Sequence, residues 1–313
     1  MASLLLPFLV SLIIFHNFQH TSSFSLSVEK DVIVSSPEGT FTAGFHPVGE
    51  NAYCFAIWFT QPPRTVVWMA NRDQPVNGKR STLSLLGVGN LVLTDADQFQ
   101  VWSTNTLTSS KQVQLRLYDT GNLVLLNNSN GFVLWQSFDF PTDTLLPNQP
   151  LRKTTNLVSS ISGTNYSSGY YRLFFDFENV LRLMYQGPRV TSVYWPFAWL
   201  QNNNFGNNGN GRSTFNDTRV VLLDDFGRVV SSDNFTFTTS DYGTVLRRRL
   251  TLDHDGNVRL YSIKDGEDNW KVSGQFRPQP CFIHGICGPN SYCTNQPTSG
   301  RKCICLPGTS RKY

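Results

Sequence analysis

The chain has 313 residues, a formal net charge of +4, 15% charged residues, and 13% aromatic residues comprising 23 Phe, 11 Tyr and 7 Trp. That length exceeds what one core organises and points to two or three domains, and the abundance of apolar rings excludes a disordered chain. The thin positive balance leaves no electrostatic footprint for nucleic acid; its one dense cluster, Arg247 to Arg249, lies in an alternating run and is expected to form a solvated strand face.

Taken from the N-terminus, the first element is the uncharged apolar run SLLLPFLVSLIIF, Ser3 to Phe15. It is short for a membrane span and reads as the core of a secretory signal over residues 1–23, with small residues Thr21 to Ser25 offering cleavage positions. The mature chain is expected to start near Phe24 and to be secreted, since no later segment approaches roughly eighteen uninterrupted apolar residues. Four Asn-x-Ser/Thr acceptors agree with that compartment, at Asn127, Asn165, Asn216 and Asn234.

Helical periodicity is nearly absent beyond the signal. Short alternating runs such as Thr65–Met69, Leu91–Leu93, Val113–Leu117, Leu123–Leu126 and Leu250–Leu252 are closed by turn residues at Asn77-Gly78, Gly89-Asn90, Gly121-Asn122, Phe226-Gly227 and Asp255-Gly256. The chain is expected to be all-β, a barrel, prism or sandwich. One unit recurs: GNLVLTDADQFQVWSTNT from Gly89 returns as GNLVLLNNSNGFVLWQSF from Gly121. Gly and Asn permit a turn with positive φ, Leu and Val then alternate between faces, and Trp102 and Trp135 follow on the next strand to plug the centre of the domain. Looser copies are FDFENVLRLMY, Phe175 to Tyr185, and DHDGNVRLY, Asp253 to Tyr261.

Cysteine is uneven: Cys54 stands alone in an apolar run, while Cys281, Cys287, Cys293, Cys303 and Cys305 crowd the C-terminal segment as a disulfide framework.

The repeat resembles that of bulb-type (monocot mannose-binding) lectins, whose sugar site follows Gln-x-Asp-x-Asn-x-Val-x-Tyr. Together with SSPEGTFTAGFHPVG, TVVWMANRDQPVNG, LWQSFDFPTDTLLPNQPL, YYRLFFD, RRLTLDHDGNVRLY and CFIHGICGPNSYC, it looks like the ectodomain of plant S-domain, or G-type lectin, receptor-like kinases. The resemblance implies tandem β-prism domains, each of three small sheets about a pseudo-threefold axis, followed by an EGF-like module. On that basis a bulb-type lectin domain is placed at 25–151, a second lectin-like or S-locus glycoprotein domain at 152–274, and a truncated EGF-like module at 281–313. The family's module pairing implies Cys281–Cys293 and Cys287–Cys303. Cys305 then awaits a sixth cysteine, and Cys54 reads better as a buried free thiol than as its partner. FRPQP before the first cysteine supplies no acidic residue, so no calcium, other metal or cofactor is expected there.

Laid on the lectin pattern, the first copy offers Leu86, Val88, Asn90, Val92 and Thr94, the second Tyr118, Thr120, Asn122, Val124 and Leu126, and the third keeps only Asn179 among Phe175, Phe177, Leu181 and Leu183. Hydrogen bonds to a sugar contribute about 1 kcal/mol net each, so copies that lose three of five groups are not expected to hold a monosaccharide. The fourth retains most: Asp255, Asn257 and Tyr261 match, Asp253 replaces Gln and Arg259 replaces Val. These residues, with Asn90 and Asn122, are the candidate sugar contacts, although DHDGN also reads as an ordinary turn and both Asn as turn caps.

Enzymatic readings find no support in spacing. His46, His254 and His284 form no metal-ligand pattern, there is no Gly-x-Ser-x-Gly elbow, and Asp225-Phe226-Gly227 copies a kinase signature without its companions and reads as a hairpin turn. No catalytic residue is assigned. Two readings remain open. One is a recognition ectodomain for a glycan, glycoconjugate or peptide, secreted or held at the cell surface if the product continues into a membrane span. The other is a secreted lectin-like interaction or decoy protein acting through protein contacts, including homo- or heterodimers with related receptor kinases. An exposed aromatic patch around YWPFAWL, Tyr194 to Leu200, would favour the second; otherwise that run packs between the two lectin-like domains.

Overall fold

The structure, a computed structural model, describes residues 24–29, 32–110, 112–196, 218–296 and 300–308. The expected signal at 1–23, Asn216 and residues 197–200 of the YWPFAWL run lie outside them. The described chain is almost wholly antiparallel β, because period-two apolar runs alternate with turn residues throughout.

Twelve strands build the first unit: β1 (Phe24–Ser27), β2 (Val32–Ser35), β3 (Phe41–Gly49), β4 (Ala52–Phe59), β5 (Val66–Met69), β6 (Val76–Asn77), β7 (Thr82–Leu85), β8 (Leu91–Thr94), β9 (Gln100–Ser103), β10 (Val113–Leu117), β11 (Leu123–Asn127) and β12 (Phe132–Gln136). They form three sheets, ordered β1-β7-β8-β9, β2-β3-β4-β5 with β6 on β4, and β10-β11-β12. Three more sheets follow from β13 (Thr144–Leu145), β14 (Leu151–Arg152), β15 (Asn156–Ser160), β16 (Ser168–Phe175), β17 (Leu181–Gln186), β18 (Thr191–Trp195), β19 (Val220–Leu223), β20 (Arg228–Ser231), β21 (Thr236–Thr238), β22 (Arg247–Leu252), β23 (Val258–Ile263) and β24 (Lys271–Gln275). Their orders are β13-β22-β23-β24, β14-β19-β20-β21 and β15-β16-β17-β18. A hairpin of β25 (Ser291–Gln296) and β26 (Gly300–Cys305) completes the chain, stapled by Cys281–Cys293 and Cys287–Cys303 with Cα separations of 5.2 and 5.5 Å. This is a tandem β-prism followed by an EGF-like module.

Each prism closes around its own core. In the first, Trp68 on β5, Trp102 on β9 and Trp135 on β12 bring one indole from each sheet to the axis, with centroids 6.1, 5.8 and 5.6 Å apart in T-shaped contacts. Trp68 also donates from Nε1 to the Phe140 carbonyl at 2.7 Å. The second prism repeats the device with Trp195, Phe235 and Phe276, 4.9 to 5.3 Å apart. Tyr194 and Trp195 are therefore buried inside the second prism's own core, neither between the prisms nor on the surface.

The FPTDTLLPNQPL stretch splices the two cores. Leu145 enters the second and its neighbour Leu146 the first, and β13, β14 and β15 in succession each supply the edge strand of a different sheet of the second prism. Across the junction, the Arg72 guanidinium donates to the Val158 carbonyl at 2.9 Å, Asp73 accepts from Ser168, and Trp270 donates to Thr65 Oγ1 while its ring meets Phe59.

The basic run on β22 departs from expectation. Arg248 is only 2% exposed, because residues 241–244 fold over it and present carbonyls its guanidinium can fill. It donates to the carbonyls of Asp225, Asp241 and Thr244 at 2.9 to 3.2 Å and to the Asp241 carboxylate at 2.6 Å. Arg249 lies over the Tyr261 ring at 3.9 Å and the Trp270 ring at 5.0 Å, and Arg247 pairs with Asp265. A planar five-donor fork serves several fixed acceptors at once, which is why arginine fills these positions.

Candidate functional site

The lectin-pattern positions all fall on the turn between the first two long strands of a sheet and on the strand that follows. In the first prism the turns close alike: the amides of Leu86 and Tyr118 donate to the carbonyls of Asn90 and Asn122, and Gly89 and Gly121 supply φ of +83°. Asn90 and Asn122 do not cap their turns, as expected, but reach across to the last strand of the sheet. Asn90 Oδ1 accepts from Thr104 Oγ1 at 2.9 Å; Asn122 donates to Gln136 Oε1 and accepts from Ser137 Oγ and the Phe138 amide. Asn257 does the same in the second prism, accepting the Arg277 amide at 2.9 Å and donating to the Arg277 carbonyl at 2.7 Å, and it is 1% exposed. All three tie the middle strand to the end of the outer one, so that their side-chain oxygens, and in Asn122 and Asn257 the amide nitrogens as well, are already engaged within the prism.

The third copy sits one residue from the expected register. Asn179, at φ +63°, takes the place of the turn glycine, and the Asp176 amide donates to Val180, which occupies the Asn position. The pattern positions are therefore Asp176, Glu178, Val180, Arg182 and Met184. In this register the third and fourth copies share a feature: a carboxylate at each of the first two positions and arginine where the lectin pattern has Val.

In both copies that arginine closes on the two carboxylates. Arg259 reaches Asp253 Oδ2 at 2.6 Å and Asp255 Oδ1 and Oδ2 at 2.9 and 2.7 Å; Arg182 binds Asp176 and reaches Glu178 Oε2 at 2.6 Å. Tyr261 donates its hydroxyl to Asp253 Oδ2 at 2.8 Å. Burial would raise the carboxyl of Asp255, but the two Arg259 bonds and charge outweigh it and hold the group below the ordinary range. Asp253 stays raised, since burial there exceeds what Arg259 and Tyr261 return. A neutral hydroxyl competing for these oxygens must displace charge-assisted bonds about twice as strong as its own. Asp253, Asp255, Asn257 and Tyr261 are thus brought together, and they satisfy one another.

Of the expected glycosylation positions, Asn165 and Asn234 are exposed on turns, whereas Asn127 is 9% exposed and its side chain accepts from Ser110 and Ser129. Cys54 is fully buried, its thiol pushed up to about 12 by desolvation and then by Asp73, and Cys305 carries no disulfide.

Clefts also open on the described surface. One, of about 610 Å³, opens in front of Trp102 and Trp135 and is bordered by Asn71, Arg72 and Asp73. Another, of about 1050 Å³, lies between the second prism and the disulfide module and is bordered by Tyr170, Tyr185, Asp255 and Arg301. Sequence reading missed both, because their walls come from segments far apart in the chain.

Comparison with known proteins places the molecule. Residues 65–164 match the D-mannose binding lectin family and residues 208–313 the S-locus glycoprotein domain. A Zea mays protein named as receptor protein kinase ZmPK1 is 40% identical over 296 residues, covering 92% of this chain and 35% of its own. The Arabidopsis thaliana G-type lectin S-receptor-like serine/threonine-protein kinase SRK is 30% identical over 92% of this chain and 33% of its own. The chain thus spans about a third of the length of these curated relatives. Among solved structures, a Marasmius oreades lectin (16% identity, TM-score 0.28) covers 46% of this chain and 95% of its own, and the two-domain Scilla campanulata agglutinin (17%, TM-score 0.27) covers 77% and 93%.

Proposed function

The chain belongs to the G-type lectin S-receptor-like kinase family, whose lectin and S-locus glycoprotein portion it matches, and on that premise we propose that it is an extracellular recognition module in which the mannose-binding positions have become structural. The observation that carries this reading is Arg259, whose guanidinium stands where the lectin pattern has Val and takes both carboxylates of the best-preserved copy. Arg182 doing the same in the neighbouring copy makes an accident of one turn a poor explanation. Recognition then falls to other surfaces of the prisms and module. The reading as an interaction protein working through the YWPFAWL aromatics draws no support from Tyr194 and Trp195, which are core residues. The two family matches are to lectin and S-locus glycoprotein domains, and the kinase activity in the relatives' names is assigned to the portions of them that this chain does not match.

Calorimetric titration of the chain with mannose and linear oligomannosides is expected to give no saturable heat at micromolar to low millimolar sugar. Tight binding that disappears in Asp255→Ala would contradict the proposal. Arg259→Val supplies a second readout. It leaves two half-buried carboxylates without their cation and is expected to cost about 2 kcal/mol at neutral pH. Because the depressed Asp255 lends stability above its unfolded value near 4 and loses it as pH falls, the gap between wild type and variant should narrow below about pH 4. A gap that stays constant with pH would mean that the clamp is not electrostatic.

A further inference from the structure

The cleft between the second prism and the disulfide module has a built frame. Ile283 is 2% exposed in the second core, His284 shares a 2.6 Å hydrogen bond with Ser192, and its ring lies 5.7 Å from that of Tyr194. Gly285, at φ +74°, passes so close to Tyr185 that a Cβ there would stand 2.4 Å from the ring. The module is thereby fixed against the prism, and Gly187, where a Cβ would stand 2.4 Å from the Tyr185 hydroxyl oxygen, packs against the same ring.

Two kinds of chemistry face the space so enclosed. Tyr170, 45% exposed, and the partly exposed Tyr185 border it with ring centroids 6.1 Å apart, and the exposed residues Arg189 and Arg301 border it with cationic side chains. Among the described residues neither arginine has a carboxylate within ion-pair distance. Asp255, the one carboxylate among the described residues bordering the cleft, is already held by Arg259. The field inside is therefore cationic, and low-dielectric walls concentrate it. A volume of about 1050 Å³ stands at the upper end of the range for small-ligand clefts.

We propose that this cleft binds a short acidic oligosaccharide built of uronic-acid residues, with pyranose faces against Tyr170 and Tyr185 and carboxylates on Arg189 and Arg301. Flat C–H faces alternating with carboxylates match both features at once. A neutral sugar leaves the arginines unanswered, and an acidic peptide leaves the tyrosines unanswered. The assignment deepens the reading of the chain as a recognition module and rests on it.

The test is calorimetry on the full chain after signal removal, with linear galacturonate trimers and hexamers as probe and oligomannosides and oligoglutamate of matched length as comparators. The expected result is saturable binding of the uronate oligomers alone, weakening as salt rises. Arg189→Gln and Arg301→Gln should each weaken it about tenfold, and Tyr170→Ala severalfold, with unchanged unfolding midpoints because all three side chains are exposed. Four outcomes would overturn the proposal: no saturable binding of uronate oligomers, equal binding of oligomannosides, undiminished binding by the double arginine variant, or oligoglutamate binding that matches the uronates and ignores Tyr170. Of these, only oligomannoside binding also bears on the loss of the mannose positions, and Asp253→Ala separates the two: mannoside binding that depends on Asp253, which does not border the cleft, would sink that reading whatever the cleft holds.

Discussion

Trp68→Ala is expected to lower the unfolding free energy by about 3–5 kcal/mol, the range for removing a buried indole. Trp68 is 5% exposed and touches Phe55, Trp102 and Trp135, so its loss leaves a void at the one point where all three sheets of the first prism meet. The Phe140 carbonyl also loses its 2.7 Å donor. Trp68→Phe keeps most of the ring contacts and forfeits that hydrogen bond, and should cost about 1–2 kcal/mol. Urea unfolding measures both. Equal losses for the two variants would show that the hydrogen bond, not the packed axis, is what Trp68 supplies.

Arg248→Met is expected to be as damaging, at about 3–5 kcal/mol, because it takes the cation from the Asp241 carboxylate, which keeps Ser262, and removes the donor from three carbonyls. Arg248→Lys should recover little, since an ammonium on a flexible stem cannot span the carbonyls of Asp225, Asp241 and Thr244 together. The neighbour Arg249, spread over Tyr261 and Trp270, should cost less when changed to Met, whose apolar stem still covers the rings. Thermal or urea unfolding of the purified variants decides it. A change below about 1 kcal/mol for Arg248→Met would return the run to a solvated face.

The contrast at Arg248 shows where sequence reading stops. Alternation says that Arg248 and its neighbours face opposite sides of β22; it cannot say that a turn four to seven residues upstream covers one of those sides. The strands themselves were legible, because period-two runs and Gly-Asn turns are local signals, as were Trp102 and Trp135. Trp68 was not recognised as their third partner, since no Gly-Asn turn precedes it. The third copy was misregistered because an Asn at positive φ and an Asn bridging two strands look alike in one dimension. Its register was nevertheless recoverable: Asp176 precedes Arg182 by the same six residues that separate Asp253 from Arg259. That spacing on a hairpin places carboxylate and guanidinium side by side, and it appears twice. The long clefts were not legible, since Tyr170, Asp255 and Arg301 meet only when the module docks.

The retained Asn residues carry a related lesson. Asn90, Asn122 and Asn257 persist at equivalent places while their would-be sugar partners differ, and each bonds to the outer strand of its own sheet. Their presence reports the needs of the prism, so it is not evidence for a pocket.

The central claim, that Arg182 and Arg259 lock the lectin-pattern carboxylates, is tested most directly by the guanidinium N–H signals that make the bonds, Nε–H of Arg182 and Nη–H of Arg259, in ¹⁵N-labelled protein. The account predicts slowly exchanging resonances at neutral pH that do not move when mannose or oligomannoside is added to millimolar concentration. Resonances that exchange as fast as those of exposed arginines, or that shift in proportion to added sugar, would contradict it.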